Sequence, residues 1–492
     1  MSSSTVRPAA LIVLAAGEGT RMKSATPKVL HELCGRSLLG HAVEACAALT
    51  EGHPEDVVVV VGHAREQVTA HLAEVAPGVR TAVQERRLGT ADAVRCALDA
   101  LAAEGVTPAG PVLVTCGDIP MQTPRTLGAL LATHAAEGNA VTVLTALVPD
   151  ATGYGRVLRD AEGAVTAIVE HRDATEEQRA VREVNSGVLA FDGRLLAEAL
   201  RRVGTDNSQG EQYLPDVLRI LREDGHRVGA QQAADHRELV GINNRVQLAE
   251  ARRLLNDRLL ERAMLAGVTV VDPATTWLDV TVTYEPDATV HPGTQLLGAT
   301  HLAADCEVGP GCRLRDTVVG AGARITHSVA EGARVGAGAL VGPYAYLRPG
   351  TVLGESAKAG TFVEMKNSTI GEGTKVPHLS YVGDATIGDH TNIGAATVFV
   401  NYDGEEKHHS SVGSYCRTGA DNMFVAPVTI GDGSYTAAGS VITRDVPPGS
   451  LAVARGQQRN VAGWVARKRQ GSAAAQAAEA ALAATERKPR DA

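Results

Sequence analysis

Arg348 and Lys366 are the residues whose types and spacing first suggest chemistry. They stand 18 positions apart in a stretch where a small or aliphatic residue recurs at every sixth position: Val335, Val341, Leu347, Leu353, Ala359 and Met365. The series resumes at Ile370, Val376 and Val382, at Ile387 and Ile393, and again from Val412 to Ile442. A glycine often follows the marked residue, as at Gly336, Gly354 and Gly394. A period of six is neither helix nor strand. It is the hexapeptide signature of a parallel β-helix, in which each short wall buries one residue and turns a corner. Three hexads close a turn, so residues 18 apart stack about 4.8 Å apart on one wall. Stacked like charges are destabilising unless something neutralises them. The pair therefore points to an anion, a phosphate, lying against that wall. A solvated surface pair is the rival reading, because exposed charges interact weakly. His378 follows in Val376-Pro377-His378. A neutral imidazole is a natural base near pH 7, although on residue type alone a structural or surface histidine is the simpler reading.

The first half carries a second set. An apolar run over 9–15 ends in Gly17-Glu18-Gly19-Thr20-Arg21. Gly17 and Gly19 let backbone N–H groups approach an anion, and Arg21 and Lys28 add positive charge. No Gly-Lys-Ser/Thr follows and a third glycine is absent, so the loop is neither a P-loop nor a dinucleotide fingerprint. An ordinary tight turn is the alternative. Asp118 follows the run 112–117. A carboxylate just past a buried strand suits Mg²⁺ held together with substrate phosphates; a turn-capping aspartate is the alternative.

These residues need elements to hold them. Apolar runs at 9–15, 57–61, 79–83, 111–115 and 140–147 alternate with helical stretches such as 39–48 and 91–102. That alternation predicts a mainly parallel α/β sheet, Rossmann-like, with ligands at the carboxyl ends of its strands. Asn243-Asn244 and the apolar positions Val246 to Met264 predict a linker helix ending at Gly267. The expected organisation is an α/β domain over 1–244, a linker helix over 245–266, a parallel β-helix over 267–457, and a tail over 458–492 that is a frayed helix or disordered. The 492-residue length requires more than one core. Aromatic residues make up 3% and net charge is -9, which argues against nucleic-acid binding. The seven scattered cysteines read as reduced thiols of a cytoplasmic protein. No run approaches the length of a membrane span, and no signal-peptide pattern follows the N-terminal apolar patch.

Leu14-Ala15-Ala16-Gly17-x-Gly19-Thr20-Arg21-Met22 with Pro27-Lys28 resembles the signature of the sugar-1-phosphate nucleotidyltransferases. Gln84, Leu88-Gly89-Thr90, Gly117-Asp118, Gly153-Tyr154-Gly155-Arg156, Glu170-His171, Asn185-Ser186-Gly187 and Asn243-Asn244-Arg245 extend the resemblance. With the hexapeptide half, it reaches the family of bifunctional N-acetylglucosamine-1-phosphate uridylyltransferases and glucosamine-1-phosphate N-acetyltransferases, and covers about residues 8 to 465. The resemblance implies that Leu14, Ala15, Ala16, Gly17, Gln84, Gly89 and Thr90 hold the uridine of UTP. It implies that Arg21 and Lys28 neutralise the triphosphate, that Asp118 and Asn243 hold Mg²⁺, and that Gly155, Glu170 and Asn185 line the sugar site. In the second half it implies His378 as the base for acetyl transfer, with Glu364 orienting the acceptor or the base. Arg348, Lys366, Tyr381 and Asn392 would bind glucosamine-1-phosphate. Asn401 and Tyr402 would complete the acetyl site, and Ala395, Ala420, Ala438 and Arg455 would line the acetyl-CoA groove. It also implies that the first domain is a nucleotidyltransferase domain, that the β-helix is left-handed, and that the chain forms a homotrimer through the β-helix.

Four positions depart from the family pattern. Ala91-Asp92 stands where Gly-His is usual, Cys116 where Tyr is usual before Gly-Asp, and Ala420 where Ser is frequent. Two rival functions follow from the same residues. One is a nucleotidyltransferase whose β-helix is only structural. The other is a non-enzymatic exchange module, disfavoured because Arg21, Lys28, Asp118 and Asn243 occur together. His408-His409, flanked by Lys407 and Ser410, reads as a solvated loop rather than a metal site.

Overall fold

The computed structural model describes residues 6–486. The chain divides into two compact units, Met1–Gly338 and Ala339–Ala492. Residues 487–492 of the expected tail lie outside the described residues, as do the first five.

The first unit opens with β1 (Ala10–Ala15), the hairpin β2 (Glu32–Leu33) and β3 (Arg36–Ser37), and α1 (Leu38–Ala47). Next come β4 (Val57–Val61), α2 (Arg65–Val75), β5 (Arg80–Val83), α3 (Thr90–Ala103), β6 (Pro111–Cys116), α4 (Pro124–Glu137) and β7 (Val141–Leu147). The sequence continues through β8 (Arg156–Arg159), β9 (Val165–Val169), α5 (Glu176–Arg179), β10 (Glu183–Asp192), α6 (Gly193–Arg201), α7 (Asp216–Glu223) and β11 (Val228–Gln232). The sheet order is β11-β7-β10-β6-β1-β4-β5, with β8 and β9 attached through β10. The strands β1, β4, β5 and β6 are parallel, whereas β10 runs antiparallel to both its neighbours.

Burial on both faces explains the unbroken apolar runs. All of Val57–Val61 are buried. Alternate residues serve opposite cores. Ile12, Val58, Val60 and Val114 pack with α3, α6 and α7, while Leu11, Val13, Val59 and Leu113 pack with α1 and α4. The carboxyl ends of β6, β1, β4 and β5 thus lie along one edge of the sheet.

The helix α8 (Arg245–Leu265) follows. Asn244 caps it by accepting from the Gln247 N–H at 2.9 Å, and Gly267 ends it at φ +97°. Leu248, Ala251, Leu255 and Leu259 form its buried stripe. The buried Asn256 donates to Thr276 O and accepts from Leu278 N, which ties α8 to the first β-helical coils. Those coils stack short parallel strands, for example Gln295–Leu297 on Arg313–Arg315.

In the second unit the coils form parallel walls. One runs through Tyr346–Leu347, Glu364–Lys366, Tyr381–Gly383, Val398–Val400, Met423–Val425 and Val441–Ile442. The six-residue ladder is its core: Leu347, Leu353, Ala359, Met365, Ile370, Val376, Val382, Ile387, Ile393, Phe424 and Ile430 are all buried. The glycines that follow are forced by stacking. A Cβ on Gly354 would stand 2.8 Å from Glu372 N of the next coil. Two coils are one residue short, pairing Leu353 with Ile370 and Ile370 with Ile387. The long break before Val412 is an excursion closed by the antiparallel bridge between Tyr402 and Lys407. After Arg469 the chain forms a helix over Ala473–Glu486. Among the described residues no cysteine is paired, and no helix is long and apolar enough to cross a membrane.

Candidate active sites

A cavity of about 570 Å³ opens at the carboxyl ends of β1, β5 and β6. Leu14, Ala15, Ala16, Gly17, Lys28, Gln84, Gly89, Thr90 and Asp118 all line it. Sequence reasoning missed Glu18, Arg87 and Glu211 at the same wall; Arg87 pairs with Glu18 at 2.6 Å. Gly89 has φ +123°, and a Cβ there would meet the backbone of Gln212. Only glycine suits that corner.

Opposite charges converge at the cavity. Lys28 Nζ pairs with Asp118 and donates to Asn243 Oδ1 at 3.0 Å. Arg21 donates to the same Asn243 oxygen at 2.8 Å. Two hard oxygens thus lie within reach of one ammonium. Burial pushes the Cys116 thiol up to about 12, and Asp118 adds to the effect. Cys116 therefore places no negative charge beside Asp118 at neutral pH.

Gly155, Glu170 and Asn185 form a separate cluster, off the wall of that cavity. Asn185 N donates to Gly155 O at 2.8 Å. A Cβ on Gly155 would lie 3.0 Å from Glu170 Oε1. Glu170 lines a smaller cavity of about 270 Å³, and burial raises its carboxyl above the ordinary value, with Asp173 and Asp216 contributing. The buried guanidinium of Arg156 braces this region by donating to backbone carbonyls of Tyr154 and Arg179.

In the second unit Leu347 pairs with Met365 and Glu364 with Tyr381, so Arg348 and Lys366 are neighbours on one wall. Arg348 Nη1 donates to Glu364 Oε1 at 2.9 Å, a partner the spacing did not reveal. Lys366 is held below its ordinary pKa by neighbouring Lys407, from the excursion. Asp384, also missed, accepts from Asn367 at 2.8 Å and from Asn401. Asn401 also reaches Tyr381 OH at 3.4 Å. His378 ends the strand Lys375–His378 on the adjoining wall, where Asn392 pairs with Lys375. Asp421 N bonds Ala395 O, and Gly439 N bonds Ala420 O, so Ala395, Ala420 and Ala438 follow one corner on successive coils. Arg455 lies exposed beyond them, and Tyr402 is exposed on the excursion. His408 pairs with Asp403 and His409 with Thr386. Among the described residues no group of three or more His, Cys, Asp or Glu is gathered for a metal.

An α/β domain with a charged cavity at its strand ends, followed by a hexapeptide β-helix with its own polar site, defines a transferase with two active sites. The nucleotidyl transferase family model matches residues 10–281. The bifunctional protein GlmU of Streptomyces coelicolor is 74% identical over 97% of this chain and 98% of its own. That of Streptomyces avermitilis is 74% identical over 97% and 98%, and that of Thermobifida fusca 61% over 98% and 99%. The chain belongs to this GlmU family of bifunctional enzymes. It is a uridylyltransferase and an acetyltransferase in one polypeptide, and the single-activity alternative is set aside.

Proposed function

We propose that the two constellations divide the reactions between them. The second unit acetylates glucosamine-1-phosphate from acetyl-CoA. The cavity of the first unit then transfers UMP from UTP to N-acetylglucosamine-1-phosphate and releases pyrophosphate. The observation that carries this reading is the sharing of Lys28 between Asp118 and Asn243, with Arg21 on the same amide oxygen.

In the uridylyl transfer a sugar-phosphate oxygen attacks the α-phosphorus of UTP in line, and the α–β P–O bond breaks. Such transfer depends on positioning and charge neutralisation rather than on a covalent nucleophile. Arg21 and Lys28 neutralise the phosphates, while Gln84, Gly89 and Thr90 hold the base. Gly155, Glu170 and Asn185 receive the sugar. Asp118 and Asn243 fit a hard cation, because their oxygens already converge on an ammonium. Mg²⁺ held there supplies further charge neutralisation to the phosphates. When UTP binds, Lys28 exchanges its pairing with Asp118 for the triphosphate.

In the acetyl transfer His378 takes a proton from the ammonium group of glucosamine-1-phosphate. The free amine attacks the thioester carbonyl, and the C–S bond breaks to release coenzyme A. Arg348 and Lys366 hold the phosphate, and Tyr381 and Asn392 hold the sugar. Asn401 and Tyr402 face the acetyl group, and the corner of Ala395, Ala420, Ala438 and Arg455 takes coenzyme A. A cytoplasmic homotrimer, assembled through the β-helix, is the form the resemblance supports.

Asp118→Ala and His378→Ala separate the two sites. Asp118→Ala should lower pyrophosphate release by at least on the order of 10²-fold with acetyl transfer intact. His378→Ala should lower acetyl transfer by about 10²–10⁴-fold with pyrophosphate release intact. Loss of both activities in either variant, or of neither, would refute the assignment.

A further inference from the structure

Asp92 is one of the positions that depart from the family pattern, and the structure gives it a partner. Asp92 and Gln84 are both nearly buried, at 4% and 6% exposure. Gln84 follows β5 and lines the nucleotide cavity. Its Nε2 donates to Asp92 Oδ2 at 2.8 Å and to the Gly89 carbonyl at 3.0 Å. An amide nitrogen carries two protons, so both are used. The partners also fix which end of the amide is which, because a carboxylate and a carbonyl oxygen accept. Gln84 Oε1 is left with lone pairs only. Among the described residues it is not one of the sealed, unsatisfied atoms, and no donor meets it.

Asp92 is itself held. Its other oxygen pairs with Arg95 one turn along α3. It also stands in the first turn of that helix, where the helix dipole favours an anion.

We propose that Asp92 is a positioning residue that locks Gln84 as a hydrogen-bond acceptor and thereby selects nucleobases that present a ring N–H. This rests on the reading that Gln84 contacts the base. Uracil offers N3–H to such an acceptor. The N3 of cytosine is itself an acceptor and would set lone pair against lone pair, leaving both groups unpaired. Sites built to pair a specific donor discriminate strongly against analogues that lack it. With Asp92 replaced by asparagine, the amide at position 92 donates to Gln84 as readily as it accepts. The Gln84 amide is then free to turn its nitrogen toward the cavity.

The test measures kcat/KM for UTP and for CTP in full-length protein carrying Asp92→Asn, and separately Gln84→Ala. Acetyl transfer on the same samples reports whether the chain is folded. Calorimetric binding of the two nucleotides replaces kinetics if turnover is too slow. The expected result is a UTP-over-CTP preference at least tenfold smaller in both variants, with acetyl transfer unchanged. A parallel loss for both nucleotides in Asp92→Asn, with the ratio kept while Gln84→Ala lowers it, would overturn the role of Asp92 and leave Gln84 as the base contact. An unchanged ratio in Gln84→Ala would overturn the base-contact reading and this inference with it.

Discussion

Arg348 illustrates what a residue's partner adds to its charge. Its guanidinium is tied to Glu364 at 2.9 Å, so a phosphate must compete for it. Bidentate pairing of a guanidinium with phosphate is among the stronger polar contacts a site can offer an anion. Arg348→Ala is therefore expected to raise KM for glucosamine-1-phosphate by about 10- to 100-fold. Glu364→Gln removes the competitor and should leave that KM unchanged or lower. If Glu364 also orients the acceptor amine, the same variant lowers kcat. Steady-state acetyl transfer with varied sugar phosphate reads both constants. A higher KM in Glu364→Gln would mean that the carboxylate binds substrate directly. The sequence carried the cation pair because register alone brings those two together. Glu364 was reached only through the family resemblance, and its bond to Arg348, which forms across coils, was not visible at all. Asp92 was likewise visible as a departure, while its contact with Gln84 exists only once α3 is packed beside β5.

At the scale of elements, legibility followed how directly a pattern sets geometry. The hexads mark the β-helix coil by coil, since each buried residue is one wall. The strand β10 was obscure, because Asn185-Ser186-Gly187 interrupts its apolar pattern and its register shifts between Asn185 and Leu189. Yet β10 supplies Asn185 to the proposed sugar site. Two stability predictions belong here. Gly354→Ala places a methyl group against Glu372 N of the next coil. It should destabilise the second unit by about 1–3 kcal/mol, read as a lower denaturant midpoint; an unchanged midpoint would show that the coils can spread. The second concerns His41 on α1, which is 7% exposed and bonded to the Leu33 carbonyl at 2.7 Å. Burial holds it down from 6.5 to about 4, with Arg36 adding to the depression and the Leu33 bond opposing it. The unfolded chain therefore binds this proton more tightly than the folded one. The resulting stability is fully present above pH 6.5 and is lost as pH falls through about 4. His41→Gln keeps a polar partner for Leu33 without titrating, so its denaturant midpoint should fall less between pH 7 and about 4 than that of the parent chain. Equal falls would assign the acid sensitivity to other groups.

For the whole molecule, the question is how one site's product reaches the other. The two sites belong to separate compact units, each with its own core. The chain carries a net charge of -9, and a negative surface does not retain an anionic sugar phosphate between sites. The intermediate should therefore pass through bulk solvent, and the two reactions need not occur on one chain. An equimolar mixture of Asp118→Ala and His378→Ala proteins, given glucosamine-1-phosphate, acetyl-CoA and UTP, is expected to form UDP-N-acetylglucosamine although neither variant does so alone. Its lag should shorten as the His378→Ala component is raised, because that component consumes the released intermediate. Unlabelled N-acetylglucosamine-1-phosphate added to a reaction started from labelled glucosamine-1-phosphate should dilute the label in the product of the parent enzyme. If the mixture stays silent while each variant keeps its own half-reaction, or if the label is not diluted, the intermediate is handed over within the protein. The net negative surface would then have to be broken by a cationic path between the sites.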